Sequence, residues 1–254
     1  MKKKRQILLN GASGKMGRVV ADCAGNGDEC EIIAGVDLSA KPYAAFPVYK
    51  SIFEFAKTAD VLIDFSHPRS LGDILSFAVK KNIPAVIATT GYNEDEINEI
   101  RRISKQAPIF FSANMSLGIN LLTALSRKAA AVLGDTFDIE ILEKHHNQKI
   151  DAPSGTALAL ADAINSELSV TCEYVYDRHG IRQKRGKREI GLHSVRGGTI
   201  TGEHEIIFAG RDEVVSLTHK ADSKEVFAAG ALKAALFMCG KEPGLYDMND
   251  LISG

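Results

Sequence analysis

The chain has 254 residues, 45% of them hydrophobic and 25% charged, which is the composition of an ordinary globular protein with one large domain or two smaller ones. Its formal net charge of −1 excludes a general attraction to nucleic acid or to an anionic membrane, so any charged ligand must be recognised locally. The four cysteines show neither zinc-site spacing nor a disulfide framework. The apolar run behind the basic N-terminus is too short for a signal peptide, and no segment approaches a membrane span. We therefore expect a cytoplasmic protein.

The first predicted strand, residues 6–9, leads directly into the glycine-rich segment NGASGKMGR. Glycines at positions 11, 14 and 17 let a backbone turn tightly and approach a phosphate, and the helix that follows offers free N–H groups to a pyrophosphate. The spacing is G-x-x-G-x-x-G rather than the more common G-x-G-x-x-G. Taken alone, the glycines also fit a plain strand-to-helix turn.

The second predicted strand ends in an acid, Asp37, about 20 residues beyond the glycines, where a dinucleotide fold places the carboxylate that holds the adenosine ribose. Asp37 would bond a 2′-hydroxyl and repel a 2′-phosphate, which favours NADH. Lys41 is near enough in sequence to offer a phosphate a cation, which keeps NADPH open. In the alternative interpretation, Asp37 simply caps the end of the strand.

Three further apolar strands, within residues 59–65, 84–90 and 108–112, alternate with helices. This alternation predicts a doubly wound parallel sheet over roughly the first 114 residues. Asn93 and Glu96 have the spacing of a capping box for one of these helices. Ligands bind at the carboxyl ends of such strands, and these ends carry small or polar residues: Ser66, Thr89, Thr90, Gly91, Ser112 and Asn114.

The second half of the chain has a different pattern. A helix over residues 117–133 is followed by alternating strands within 137–142, 172–176 and 189–218, which predicts an open mixed or antiparallel sheet packed with helices. An Asp222 and Glu225 pair predicts the capped start of a last helix. This half is therefore predicted to be a second domain of α+β type.

The segment EKHHNQKIDAPSGTA, residues 143–157, concentrates titratable and backbone-donating groups on a strand-to-helix loop, where a rigid scaffold displays chemistry. A histidine pair alone is more often structural than catalytic, and a lone lysine is usually solvated. Adjacent histidines point apart, whereas metal-binding pairs on a helix are spaced i, i+4, so we predict no metal site. A basic run over residues 182–188 lacks interleaved aromatics and favours a solvated loop over nucleic-acid binding; a loop that covers an anionic ligand is a further alternative.

The same segment resembles the signature E-x-H-H-x-x-K-x-D-x-P-S-G-T-A of the 4-hydroxy-tetrahydrodipicolinate reductase (dihydrodipicolinate reductase) family of bacterial lysine and diaminopimelate biosynthesis. The resemblance continues through NGASGKMGR, VLIDFSHP, ATTGY, SANMSLG, IGLHSVRGGTITGEHEIIFAG and THKADSKEVFAAGALKAA. It implies a Rossmann-like dinucleotide-binding domain, residues 1–114 completed by 223–254. It also implies an α+β substrate-binding and tetramerisation domain, residues 115–222, with an open mixed sheet. The implied cofactor is NADH or NADPH, the implied substrate a small cyclic dicarboxylate, and the implied assembly a homotetramer.

The resemblance also implies roles for individual residues. His145 and Lys149 would carry the proton chemistry, and His146, Gly155 and Thr156 would hold the substrate. Leu38 stands where some relatives carry an arginine for the 2′-phosphate, which leaves the cofactor preference open. The implied cofactor contacts are Gly11, Ala12, Ser13, Gly14, Lys15 and Met16 at the pyrophosphate, Asp37 at the ribose, and Ala88, Thr89, Thr90, Ser112, Ala113, Asn114 and Met115 on the nicotinamide side.

The reaction implied is hydride transfer from the nicotinamide to a ring carbon, with a proton delivered next to it. The sequence does not decide whether His145 or Lys149 delivers that proton. Gly155 and Thr156 open a helix, so their N–H groups would offer a carboxylate cradle. Two other functions fit the pattern less well: a related amino-acid dehydrogenase with another carbonyl substrate, and a dinucleotide-sensing protein without catalysis.

Overall fold

The computed structural model describes residues 3–40, 43–180 and 182–253. Lys41, considered above as a phosphate partner, lies outside these ranges. The chain forms two compact units, one made of Met1–Leu117 with Lys224–Gly254 and the other of Gly118–Ser223. Within the described ranges, no helix combines the length and the apolar character needed to cross a lipid bilayer.

Strands and helices alternate in the first half of the chain, and strands dominate much of the second. The strands are β1 (Arg5–Asn10), β2 (Cys30–Val36), β3 (Val48–Tyr49), β4 (Val61–Asp64), β5 (Ala85–Ile87), β6 (Pro108–Phe111), β7 (Asp138–His145), β8 (Glu173–Val175), β9 (Glu189–Arg196), β10 (Gly202–Ala209), β11 (Val214–Ala221) and β12 (Gly244–Tyr246). The helices are α1 (Lys15–Asn26), α2 (Leu71–Lys81), α3 (Glu94–Ile103), α4 (Leu117–Leu133), α5 (Gly155–Asn165), α6 (Glu225–Met238) and α7 (Met248–Ser253).

The first unit is built on a seven-stranded parallel sheet with the order β12-β6-β5-β4-β1-β2-β3. Ile7 and Leu9 are fully buried in the cluster that includes α1 and α6, and Leu8 is fully buried in the cluster that includes α2 and α3. Burial on both faces accounts for the nearly continuous apolar strands in the sequence. The predicted doubly wound sheet is confirmed, and its order reverses beside β1, where such sheets bind ligands.

The second unit contains a five-stranded mixed sheet with the order β11-β10-β7-β9-β8. Its central strand, β7, pairs antiparallel with β10 and parallel with β9, which confirms the predicted open mixed sheet. Helices α4 and α5 pack on one face of this sheet. Alternate residues of β7 are buried on that face: Ile139, Ile141, Glu143 and His145. The strand thus delivers a carboxylate and an imidazole to the buried face at its carboxyl end.

The two predicted helix caps have different outcomes. Asn93 and Glu96 form a reciprocal capping box at the start of α3, as predicted. The prediction of an Asp222 and Glu225 cap for α6 is wrong, because Lys224 is the N-cap and the helix has no side-chain capping bond. Lys224 already has helical backbone angles, so Asp222 lies too far ahead of the helix to cap it.

One arginine of the basic run belongs to an ion-pair network on β7. Arg185 donates to the carboxylates of Asp138 and Glu140, and Arg178 and His193 also contact Glu140. Burial raises the pKa of Glu140, but the bonds from His193 and Arg185 outweigh it, and the pKa lies below its usual range. Arg185 therefore stabilises the sheet rather than standing free in a solvated loop.

Candidate active site

The glycine-rich turn of the first unit requires two of its glycines. Gly11 has a φ of +76°, and a Cβ there would lie 2.4 Å from the carbonyl oxygen of Phe65. A Cβ on Gly17 would lie 2.2 Å from the carbonyl oxygen of Gly11. Positive φ and close backbone approach are what glycine permits. The turn therefore depends on these two positions for its shape.

Most N–H groups of the turn are already used inside the protein. Gly11 and Ala12 donate to the carbonyl of Val36, Gly14 donates to that of Gly11, and Ser13 donates to the carboxylate of Asp37. Helix α1 begins immediately afterwards with Lys15 and Met16, and the first N–H groups of a helix have no intrahelical acceptor. Among the predicted pyrophosphate contacts, the start of α1 is thus the part with backbone donors to offer an anion.

A cavity of about 480 Å³ opens at the carboxyl ends of β1, β2 and β4. Its walls include Gly11, Gly14 and Asp37, and also Lys50 and Ser51, which follow β3. Both carboxylate oxygens of Asp37 are engaged: one accepts from the Ser13 N–H, and the other accepts from the N–H and hydroxyl of Ser39. Asp37 is therefore held in place by the turn and still has acceptor capacity facing the cavity.

The predicted nicotinamide-side residues lie at the same sheet edge, after β5 and β6, but do not line this cavity. Thr89 is buried, whereas Thr90 and Ala113 are exposed. Ser112 bonds the backbone of Asn114. The remaining two positions, Ala88 and Met115, are buried.

A fully buried carboxylate, Asp64, ties these strand ends together. It accepts hydrogen bonds from Asn10 at 2.8 Å, from the Ser66 hydroxyl at 2.6 Å and from the Thr89 hydroxyl at 2.7 Å. Burial raises the pKa of Asp64, and the bonds from Ser66, Thr89 and Asn10 oppose that rise. Asp64, which the sequence analysis did not single out, therefore joins the ends of β1, β4 and β5.

Replacing Asp64 with asparagine is expected to lower the free energy of unfolding by about 1–3 kcal/mol. The NH₂ group of the asparagine is itself a donor, and it would face the donors that now bond the carboxylate. Asp28 carries an exposed carboxylate, and Asp28→Asn should change stability by less than about 0.5 kcal/mol. Denaturant unfolding of the two variants checks this. Equal stability of Asp64→Asn and the parent protein would show that the cluster is not held by the carboxylate.

In the second unit, His145 ends β7 and is 9% exposed. Its Nδ1 lies 2.5 Å from a carboxylate oxygen of Glu143. Its ring packs edge to face on that of His204, with 5.3 Å between the ring centroids. Burial lowers the pKa of His145, while the bond and charge of Glu143 oppose that fall and Lys149 and Arg196 add to it. A buried histidine with this partner can exchange a proton without leaving its position.

The predicted proton and substrate groups follow in the loop and at the start of α5. The ammonium of Lys149 lies 2.8 Å from the carboxylate of Asp151. The pKa of Asp151 is lowered, first by the bond from Lys149 and also by its own N–H and that of Gly155. Lys149 and the start of α5 therefore already hold one carboxylate, supplied by the protein itself.

The start of α5 is fixed by Ser154, whose hydroxyl accepts the N–H of Ala157 at 3.1 Å. The same hydroxyl lies 3.2 Å from Nε2 of His204. Burial lowers the pKa of His204 to about 4, with the charge of His145 as a further cause. His204 is therefore neutral at ordinary pH and supports the corner at which Gly155 and Thr156 begin the helix.

The structure gathers His145, Lys149 and Gly155 around one strand end and the loop that follows it, with His146 and Thr156 beside them in sequence. Arg196 and His204 also belong to this site, although no sequence pattern indicated them. Arg196 donates to Glu143 through both terminal nitrogens, at 2.8 and 2.7 Å. Both residues come from neighbouring strands, and only the sheet register brings them here.

A parallel sheet with a glycine-rich turn and an acidic residue after β2, followed by a mixed-sheet unit with an imidazole and an ammonium group, is the arrangement expected of a dinucleotide-dependent reductase. Comparison with known families narrows this class. The family model of the dihydrodipicolinate reductase N-terminus matches residues 5–115, and that of the C-terminus matches residues 118–252. The chain belongs to the dihydrodipicolinate reductase family, which confirms the resemblance seen in the sequence and the reductase activity that it implies.

Relatives named 4-hydroxy-tetrahydrodipicolinate reductase match nearly the whole chain. The protein of Caldanaerobacter subterraneus subsp. tengcongensis is 53% identical over 97% of this chain and 98% of its own length. That of Clostridium tetani is 48% identical over 98% of this chain and 97% of its own length. Among solved structures, the dipicolinate-bound dihydrodipicolinate reductase of Paenisporosarcina sp. TG-14 shares the fold, with a TM-score of 0.83, 24% identity and coverage of 97% of this chain and 99% of that one.

Proposed function

We propose that the chain reduces 4-hydroxy-tetrahydrodipicolinate to tetrahydrodipicolinate in lysine and diaminopimelate biosynthesis. The reaction takes a hydride from NADH or NADPH and a proton, and the 4-hydroxyl group leaves as water. The first unit would bind the dinucleotide, and the second unit would bind the dicarboxylate and provide the proton. The observation that carries this assignment is the Asp151 carboxylate held by Lys149 and the start of α5. It supports the assignment, because a carboxylate is the charged group that the proposed substrate would bring to these donors.

In the proposed mechanism, His145 and Lys149 carry the proton chemistry next to the carbon that receives the hydride. A substrate carboxylate would replace Asp151 as the partner of Lys149 and of the Gly155 N–H. It would also reach the N–H of Thr156 at the start of α5. His146 would contact the second carboxylate. Dipicolinate, the ligand in the Paenisporosarcina structure, is a planar cyclic dicarboxylate and suits such a cradle.

For the cofactor, we propose that the turn from Gly11 to Met16 contacts the pyrophosphate and that Asp37 contacts the adenosine ribose. Lys50 adds a cation beside Asp37, since the pairing of Val36 with Tyr49 places Asp37 and Lys50 side by side at the ends of β2 and β3. Asp37 favours a hydroxyl at the 2′ carbon of the ribose, whereas the positive charge of Lys50 favours a phosphate at the same carbon. Both NADH and NADPH are therefore proposed as substrates.

Replacing Lys50 with alanine should weaken NADPH binding by roughly fivefold, because a solvent-accessible charge pair contributes about 1 kcal/mol. NADH binding should not change. Lys57→Ala is the matched control, since Lys57 is also exposed but does not line the cavity. Titration of each nucleotide by fluorescence checks this. Equal weakening of NADH and NADPH binding would show that Lys50 does not contact the 2′ position.

The activity is tested by supplying purified protein with substrate generated by the synthase that precedes it, and with NADH or NADPH in parallel. Nucleotide oxidation should occur only when the cyclic substrate is present. The ratio of kcat/KM for the two nucleotides measures the balance between Asp37 and Lys50. Turnover of an open-chain semialdehyde in place of the cyclic substrate would assign the chain to another dehydrogenase.

We further propose a homotetramer formed through the sheet face of the second unit opposite α4 and α5. That face carries apolar side chains with little cover, among them Val195 at 42% and Val214 at 62% exposure. A second copy of the same face would bury them. Sedimentation of the purified chain tests this: a tetramer is expected, and a monomer or a dimer at all concentrations would contradict it.

A further inference from the structure

Glu143 is a charged residue with no exposure to solvent, beneath the candidate proton donor. Four donors converge on its two oxygens: Nδ1 of His145 at 2.5 Å, the Ser154 N–H at 3.1 Å, and two Arg196 nitrogens at 2.8 and 2.7 Å. A carboxylate has about four acceptor positions. Those of Glu143 are thus filled by protein groups, and it has no capacity left for a ligand.

Arg196 links this carboxylate to the rest of the site. It lies on β9 directly opposite His145 in the sheet register. One of its nitrogens also donates to the backbone carbonyl of Asp151 at 2.6 Å. Burial raises the pKa of Glu143, but the hydrogen bonds that it accepts, those from Arg196 foremost, outweigh burial and lower the pKa to about 2. Glu143 therefore remains ionised whenever the enzyme works.

An ionised carboxylate can only accept, so the nitrogen of His145 that faces Glu143 must carry a proton. The second ring nitrogen, Nε2, then gains or loses the proton that changes the charge of His145. A Cβ on Gly202 would lie 3.2 Å from Nε2, so the glycine on β10 leaves space at this atom. The charged or titratable groups that face the ring are Glu143 from β7, Arg196 from β9, His204 from β10 and Lys149 from the loop.

We propose that Glu143, clamped by Arg196, is a positioning residue for the reduction: it fixes one proton on Nδ1 of His145, leaves Nε2 to face the substrate, and holds Ser154 in the same frame. The His145 ring and the start of α5 would then keep a fixed position relative to each other, because the Glu143 carboxylate bonds both. This inference rests on the proposed function, in which His145 handles the proton at the site.

The position of the proton is tested on the unmodified protein by nitrogen NMR of histidine-labelled chain, with His145→Gln to assign the signal. The expected neutral form has its proton on Nδ1 and an unprotonated Nε2. A neutral form with the proton on Nε2 would overturn the proposal. This readout needs no turnover, so it stays informative even if the chain fails to reduce the proposed substrate, which would contradict the proposed function alone.

The effect on catalysis is tested with Glu143→Gln, which keeps the shape and removes the charge. The Glu143 charge favours the imidazolium, so its loss should lower the pKa of His145 further. Because the acid must be protonated, the alkaline limb of the kcat/KM profile should move to lower pH, and kcat should fall about 10-fold or more with little change in KM. Glu203→Gln is the matched control, since Glu203 pairs with Lys144 on the same sheet and should leave the profile unchanged.

A merely structural role for Glu143 predicts a different result. Activity would then fall in proportion to the folded fraction, and the pH profile of the remaining enzyme would not move. An unmoved profile in folded Glu143→Gln would therefore overturn the positioning role. If Glu143→Gln does not fold, Arg196→Lys provides the second variant. It keeps the positive charge but loses the bidentate contact with Glu143, and it should shift the alkaline limb of the kcat/KM profile by a smaller amount.

Discussion

Replacing Lys149 with alanine is expected to lower kcat/KM by about 10²–10⁴-fold, the range typical of a lost acid or base group. Lys149 is the ammonium that holds the Asp151 carboxylate at 2.8 Å, and the proposed substrate is a dicarboxylate that takes this place. Its removal eliminates a proton donor and a carboxylate contact together. The loss should therefore appear in kcat and in KM for the cyclic substrate, with nucleotide affinity unchanged.

The matched control for this variant is Lys128→Ala. Lys128 lies on the exposed side of α4, so its replacement should leave both kinetic constants unchanged. Steady-state kinetics and nucleotide titration on the two variants check the expectation. Full activity of Lys149→Ala would remove this residue from the chemistry, and equal loss in both variants would indicate a general effect of charge.

Replacing Gly11 with alanine is expected to destabilise the first unit and abolish nucleotide binding. A side chain at a φ of +76° is strained, and its Cβ would lie 2.4 Å from the Phe65 carbonyl oxygen. Strain of this kind costs about 1–3 kcal/mol, and forced overpacking adds about 1–3 kcal/mol more. The expected loss of unfolding free energy is thus roughly 2–6 kcal/mol.

Gly25 provides the comparison within the same segment. It lies in helix α1, and a Cβ there would meet nothing within 4 Å. Gly25→Ala should therefore stabilise the chain by about 0.5–1 kcal/mol through helix propensity. Denaturant unfolding with and without NADH measures both variants. A Gly11→Ala protein that binds NADH normally would show that the turn does not set the nucleotide site.

The fold was largely predictable because its signals are local. Apolar strands that alternate with helices indicated the parallel sheet, and the alternation of β7 indicated a strand with one buried face. The strands that escaped prediction, β3 and β12, have only 2 and 3 residues. Pairing with a longer neighbour makes them strands, and a pattern of two or three residues carries no period of its own.

The site was predictable where it is contiguous. His145 at the end of β7 and Lys149 in the loop that follows are close in sequence, and their roles stay predictions until tested. Arg196 lies 53 residues from Glu143 in sequence and His204 lies 50 residues from Ser154, so their part in the site depends on strand register. One signal was overlooked: Glu143 falls on the apolar face of β7, and a buried carboxylate requires a cation.

The transfer of the hydride from the nucleotide to the cyclic substrate can be followed directly. The chain is supplied with the synthase-generated cyclic substrate and a nicotinamide nucleotide carrying deuterium at the transferred position of its reduced ring, and the product is examined by mass spectrometry. We expect one deuterium in each tetrahydrodipicolinate formed and one nucleotide oxidised per product. Product without deuterium, or nucleotide oxidation that does not depend on the cyclic substrate, would contradict the proposed function.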